Sequence, residues 1–164
     1  MSFKLGLNLR KDVSKQIISD IKKLTKTDVL VGIPAQGNNR EDGMNNATIG
    51  YMNETGDPER NIPARPFLVP GVEAAKGDIA KQFGKAAEAA LDGRNEAVAN
   101  RLGEAGQRAA QSVQNTIVNG EYAPLSERTI AARKKRGVDD DKPLIDTAKM
   151  YQSITYVVRK KGQK

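Results

Sequence analysis

Cysteine, histidine and tryptophan are all absent from the 164 residues of this chain. Without cysteine there is no disulfide, no thiolate metal site and no cysteine nucleophile. Without histidine the commonest general base and metal ligand is missing too. Carboxylate chemistry, Ser/Lys or Tyr chemistry and oxygen-ligated sites of the magnesium type stay open. Aromatic residues make up only 4% of the chain, so the interior has to rest on Ile, Val, Leu and Ala. No stretch approaches the roughly 18 consecutive apolar residues of a membrane span. The start, MSFKLGLNLRKD, has no apolar segment of the kind a signal peptide carries, so a soluble protein made without a leader is expected.

The length suits one domain, 1–164, with a modest core. The net charge of +7 is unevenly placed: residues 1–26 hold seven Lys/Arg against two Asp/Glu, residues 149–164 hold five against none, and 27–119 hold nine against twelve. Basic ends around a slightly acidic middle suit a polyanion or a partner with an acidic face, and equally a plain solvated surface. The basic segment 1–11 and the tail 159–164 are expected to be flexible.

Val13, Ile17, Ile18, Ile21 and Leu24 recur at helical spacing, which predicts an amphipathic helix over 12–25 lying on a core, with Asp12 as N-cap. DVLVGIP reads as a buried strand ended by Pro34, and 36–46 as an exposed loop. NATIGYMNET, 46–55, is a short helix closed by Gly56. Apolar stripes over 72–91 and 95–119 predict a long helical hairpin turning at Asp92-Gly93-Arg94, its alanines allowing close approach. Ser126 caps a basic helix that Gly137 stops. Asp146 or Thr147 caps one more helical turn before a strand at 154–158, with Ile154, Tyr156 and Val158 on one face. Two or three strands and four or five helices, without regular alternation, predict an α+β fold: a small, mainly antiparallel sheet packed with the hairpin and shorter helices.

Catalytic and metal motifs are missing. The acidic residues Asp139, Asp140, Asp141 and Asp146 lack EF-hand spacing, and no phosphate loop or nucleophile elbow occurs. No cofactor and no metal are expected. Arg128, Arg133, Lys134, Lys135 and Arg136 on the basic helix can track a phosphate backbone or face an acidic partner, although aromatic stacking platforms are missing beside them.

The most unusual stretch is NIPARPFLVPGVE, 61–73. Pro63 and Pro66 fix their own φ and push Ile62 and Arg65 toward extended conformations, so IPARP is a stiff strut. Two uses are open. Phe67 is a core plug behind a rigid linker, or Arg65, Pro66, Phe67 and Leu68 form an assembly surface with Arg65 as its anchor.

The segment IGYMNETGDPERNIPARPFLVPGVE resembles the tail-completion and virion-morphogenesis proteins of long-tailed bacteriophages, in which a short helix ending in Glu-x-Gly precedes an IPxRPF signature and a long helix. A second block resembles the same family in the same order: PLSERTIAARKKRG, then KPLIDTAKMYQSITYVV. Together they span 47–158. The matched positions are Glu54, Gly56, Pro63, Arg65, Pro66, Phe67 and Leu68, then Pro143, Leu144, Asp146, Thr147, Ser153 and Ile154. Asn53 and Thr55 stand where a His and an apolar residue are frequent, and Ala148 replaces the usual Gly, which suggests a less strained turn.

The resemblance implies a non-enzymatic structural protein of the virion neck, assembled in the host bacterial cytoplasm. It would act as a ring, expected to be sixfold, at the head-proximal end of the tail. Its partners would be copies of itself, a tail terminator or tail tube protein, head-side connector proteins, and the passing genome without sequence specificity. Arg65 to Leu68 would form an inter-subunit contact. Asp146, Thr147, Met150, Tyr151 and Ser153 would orient the last strand for docking. The alternative is a basic nucleic-acid-binding module built on the 128–136 helix and the termini.

Overall fold

The structure is a computed structural model that describes residues 14–37, 43–146 and 148–162. Among them the fold is α+β, as composition and periodicity predict. Seven helices surround one two-stranded antiparallel sheet, in which β1 (Thr27–Gly32) pairs with β2 (Thr155–Lys160). Thr27 faces Lys160, Val29 faces Val158 and Val31 faces Tyr156. No third strand is present among the described residues, and the helices exceed the four or five expected.

The helical hairpin is the backbone of the fold. Its arms, α4 (Lys76–Leu91) and α5 (Asn95–Asn119), turn at Gly93 with φ 70°. Ala86, Ala89 and Ala90 on α4 and Leu102, Ala105 and Ala109 on α5 are buried. The small side chains let the two axes come close, which is why a stripe so lean in large residues still packs. The other side of α5 carries both strands. There Gly106 lies under the Tyr156 ring, with no room for a Cβ.

The predicted helix over 72–91 begins earlier and is broken. A separate helix, α3 (Leu68–Ala74), precedes α4, with Ala75 between them. Pro70 and Gly71 lie inside α3. Pro70 is tolerated because the third residue of a helix needs no intrahelical N–H partner. Gly71 meets the Val113 backbone of α5, where a Cβ would stand 2.5 Å from Val113 Cα, so α3 docks on α5 more closely than any other residue would allow.

The first helix, α1 (Ser14–Thr25), departs from its expected stripe. Ile18 and Ile21 are exposed, whereas Asp20 is buried. Lys23 and Gln16 donate to the two Asp20 carboxylate oxygens at 2.8 and 2.9 Å. These hydrogen bonds, Lys23 first, hold its carboxyl below the usual value and offset the cost of burying it. Asp12 and Val13 lie outside the described residues, as do 1–11 and part of the 36–46 loop. The C-terminal tail is ordered further than expected, since Arg159 and Lys160 belong to β2 and Lys161 N donates to Lys26 O.

The main core gathers Phe67, Ala110, Val113, Ile117, Leu144, Met150 and Ile154, with Ile33, Ile49 and Tyr151 against it. It is assembled from the two sequence blocks that carry the family resemblance together with the C-terminal half of α5.

Candidate functional site

Between α2 (Asn46–Thr55) and α3 the chain folds back on itself. Asn45 caps α2, and Gly56 ends it with φ 76°. Asp57 and Ile62 then bridge, closing a tight turn through Pro58–Arg60. The IPARP strut returns along the end of α2, with Arg65 N donating to Asn53 O at 2.6 Å. At its far end Phe67 precedes α3 and offers no capping side chain.

The missing cap is supplied from elsewhere in the chain. Glu54 Oε2 accepts from Phe67 N and Leu68 N at 2.7 and 2.8 Å, and Oε1 accepts from Val69 N at 3.0 Å. The next residue, Pro70, has no N–H. One carboxylate thus satisfies every orphan donor at this helix start, where a negative charge also meets the positive end of the helix dipole.

Arg65 is 6% exposed and Phe67 1%. Arg65 Nε donates to Ala123 O at 2.7 Å and Nη2 to Pro124 O at 2.9 Å, tying the strut to the segment that follows α5. This corrects the inter-subunit expectation for these two residues. Phe67 is spent on the core and Arg65 on internal carbonyls, so neither side chain is presented to a neighbour. Pro66 is exposed and Leu68 half-buried. Of the two uses open for this stretch, the core plug is the one found.

The second block repeats the pattern. On α6 (Glu127–Lys135), capped by Ser126 as expected, Arg133 is 6% exposed. Its Nη1 donates to the carbonyls of Asp140, Lys142 and Ile145 at 2.9–3.1 Å, and Nε lies 3.8 Å from Asp146 Oδ1. The polar turn 138–146 is wrapped around this one guanidinium. Arg136 pairs with Asp146 at 3.1 Å. The expected basic face is corrected accordingly: Arg133 is withdrawn and Arg136 is paired, leaving Arg128, Lys134 and Lys135 exposed.

One predicted cap, Thr147, lies outside the described residues. The N-cap position of α7 (Lys149–Gln152) is Ala148 rather than Asp146; it makes no side-chain cap and has φ 56°. The expectation of a less strained turn is therefore reversed. The backbone there is left-handed, and an alanine occupies it at a cost that glycine avoids. Met150 is buried in the core, and Tyr151 and Ser153 are half-buried. Asn46 Nδ2 donates to Ser153 Oγ at 2.9 Å, which pins α2 to α7.

The two blocks meet at a cavity of about 160 Å³. Arg65 and Asn53 reach it from the first block, Arg133 and Asp146 from the second, over an apolar floor of Ile49, Leu144 and Met150. Burial, and then the positive charge of Arg133, push the Arg65 guanidinium below its ordinary value. Among the described residues no group of three or more acidic side chains converges as a metal site, and no helix is long and apolar enough to cross a membrane.

Glu54, Arg65 and Arg133 hold this region together, and spacing alone assigns none of them that task. The available signal is a helix start with no Ser, Thr, Asp or Asn at its N-cap, which calls for a carboxylate from another element. Compared with known proteins, the chain matches no family model, no curated protein and no solved structure.

Proposed function

We propose that this chain is a structural subunit of a tailed-bacteriophage virion, of the tail-completion or head-to-tail connector kind, forming a ring at the head-proximal end of the tail and joining it to the head. The reading starts from the two ordered sequence blocks. The observation that carries it further is the state of the sheet. Among the described residues it has two strands, so each strand has one edge with no partner strand. Leu30 and Val157 face each other across it on the outer side, 39% and 48% exposed.

A two-stranded sheet is marginal by itself, and free edges with an apolar outer face favour added strands or a covering surface. A ring of identical subunits uses two different patches on each copy. Tyr51 on α2 and Val69 at the start of α3, both well exposed, are further apolar side chains outside the sheet. Such a subunit works by docking and requires no bond chemistry. Neighbouring copies, tail components and head-side connectors are its partners, and the virion neck is its place.

The test is assembly. Particles made without this protein are expected to accumulate as separate full heads and finished tails. Val157→Lys is expected to leave the circular dichroism of the purified subunit unchanged while abolishing rings seen by electron microscopy. Intact infectious virions formed in its absence would refute the reading.

A further inference from the structure

We propose that the cavity between the two sequence blocks is a binding site for a single carboxylate on a short aliphatic stem, the side chain of a glutamate from another protein chain. This goes beyond the assembly role proposed above and does not depend on it. Arg65 and Arg133 are each more than nine-tenths buried and both line the cavity. Internal carbonyls occupy Arg65 Nε and Nη2 and Arg133 Nη1. Among the described residues Arg65 Nη1 and Arg133 Nη2 have no hydrogen-bond partner, and neither is sealed off from solvent. Two buried guanidiniums that line the same space therefore keep unused N–H donors, which a planar acceptor with two oxygens meets best.

The charges around the cavity favour a small anion. Arg65 and Arg133 contribute two positive charges, while Asp146, also on the wall, is shared with the exposed Arg136. A carboxylate meets the two guanidiniums with one negative charge, whereas a phosphate dianion brings a second negative charge close to Asp146. The floor of Ile49, Leu144 and Met150 suits methylenes rather than further polar groups. The size agrees, since an engineered cavity of about 150 Å³ takes up benzene, which like butyrate has six heavy atoms. Butyrate reproduces the glutamate side chain together with its Cα carbon.

The experiment is a titration of the ¹⁵N-labelled protein with sodium butyrate at constant ionic strength, following the arginine Nε–H resonances. The signals of Arg65 and Arg133 are expected to shift saturably with butyrate and to stay still with butanamide, its uncharged counterpart. Asn53→Asp places a carboxylate on the cavity wall with both arginines kept, at the loss of the Asn53 Nδ2 bond to Ile49 O within α2. It is expected to weaken butyrate binding at least about tenfold while leaving the backbone spectrum native. An absent or non-saturable response, or an equal response to butanamide, overturns the proposal. Inorganic phosphate shifting the same signals at lower concentration than butyrate overturns the carboxylate assignment. Asn53→Asp binding butyrate as tightly as the parent chain overturns the location.

Discussion

The Glu54 carboxylate and the Phe67 amide lie 2.7 Å apart, thirteen residues distant in sequence, so a side chain at the end of one helix starts the next. Glu54→Gln keeps the shape but removes the charge and one acceptor oxygen, and Glu54→Ala leaves three N–H groups without their partner. We expect losses of about 1 and about 3 kcal/mol respectively. Urea denaturation followed by circular dichroism checks this, with m expected to stay constant because the folded surface does not change.

Arg65 acts through the monomer before it can act through any assembly. Arg65→Ala removes two charge-assisted hydrogen bonds to the 123–124 carbonyls and opens a void beside Arg133. A loss of about 3 kcal/mol is expected in the isolated subunit. Arg65→Lys restores the charge but not the planar fork, and is expected to recover less than half of that loss. Equal thermal melting of Arg65→Ala and the parent chain would show that the buried contacts do not hold the strut.

Ala148 carries a left-handed backbone, φ 56°, at the entrance to α7. Replacing it with glycine releases the strain on Cβ, partly offset by the greater freedom of glycine in the unfolded chain. Ala148→Gly is expected to raise stability by about 0.5–1 kcal/mol, a gain visible as a higher denaturation midpoint. A lower midpoint would mean that the turn prefers alanine for packing.

Tyr122 donates its hydroxyl to Thr116 O at 2.6 Å. Burial, and then the nearby Glu54 charge, raise its pKa above the ordinary 10.0. A raised folded-state value means that the neutral phenol is favoured by folding. Its contribution is complete below pH about 10 and is lost as pH climbs through the folded-state value. The difference in alkaline absorbance titration between the parent chain and Tyr122→Phe should show Tyr122 ionising late, and Tyr122→Phe should flatten the fall of stability above pH about 10.

Much of the fold was legible because helical stripes and turn residues are local. The helix over 95–119 and the turn at Gly93, the Asn46–Thr55 helix ended by Gly56, and the Ser126 cap all follow from side-chain periodicity and backbone preference. The misreadings share one physical cause. The helix read over 72–91 starts only after Pro70-Gly71 until Glu54 and Val113 are in place to accept a helix through them, and Ile18 and Ile21 look like core until the extent of packing beneath α1 is known.

The sequence by itself determined that no thiol or imidazole chemistry is available, that the interior is aliphatic and alanine-rich, and where most helices run. Only the tertiary structure decided which charges are spent internally. Arg65 and Arg133 read as surface cations in a basic chain, yet each is buried among backbone carbonyls brought from 58–59 and 7–12 residues away. A guanidinium carries no mark of its acceptors in its own neighbourhood of the chain. Burial and partner choice are set by long-range packing, which alone placed two arginines and one aspartate around a shared cavity.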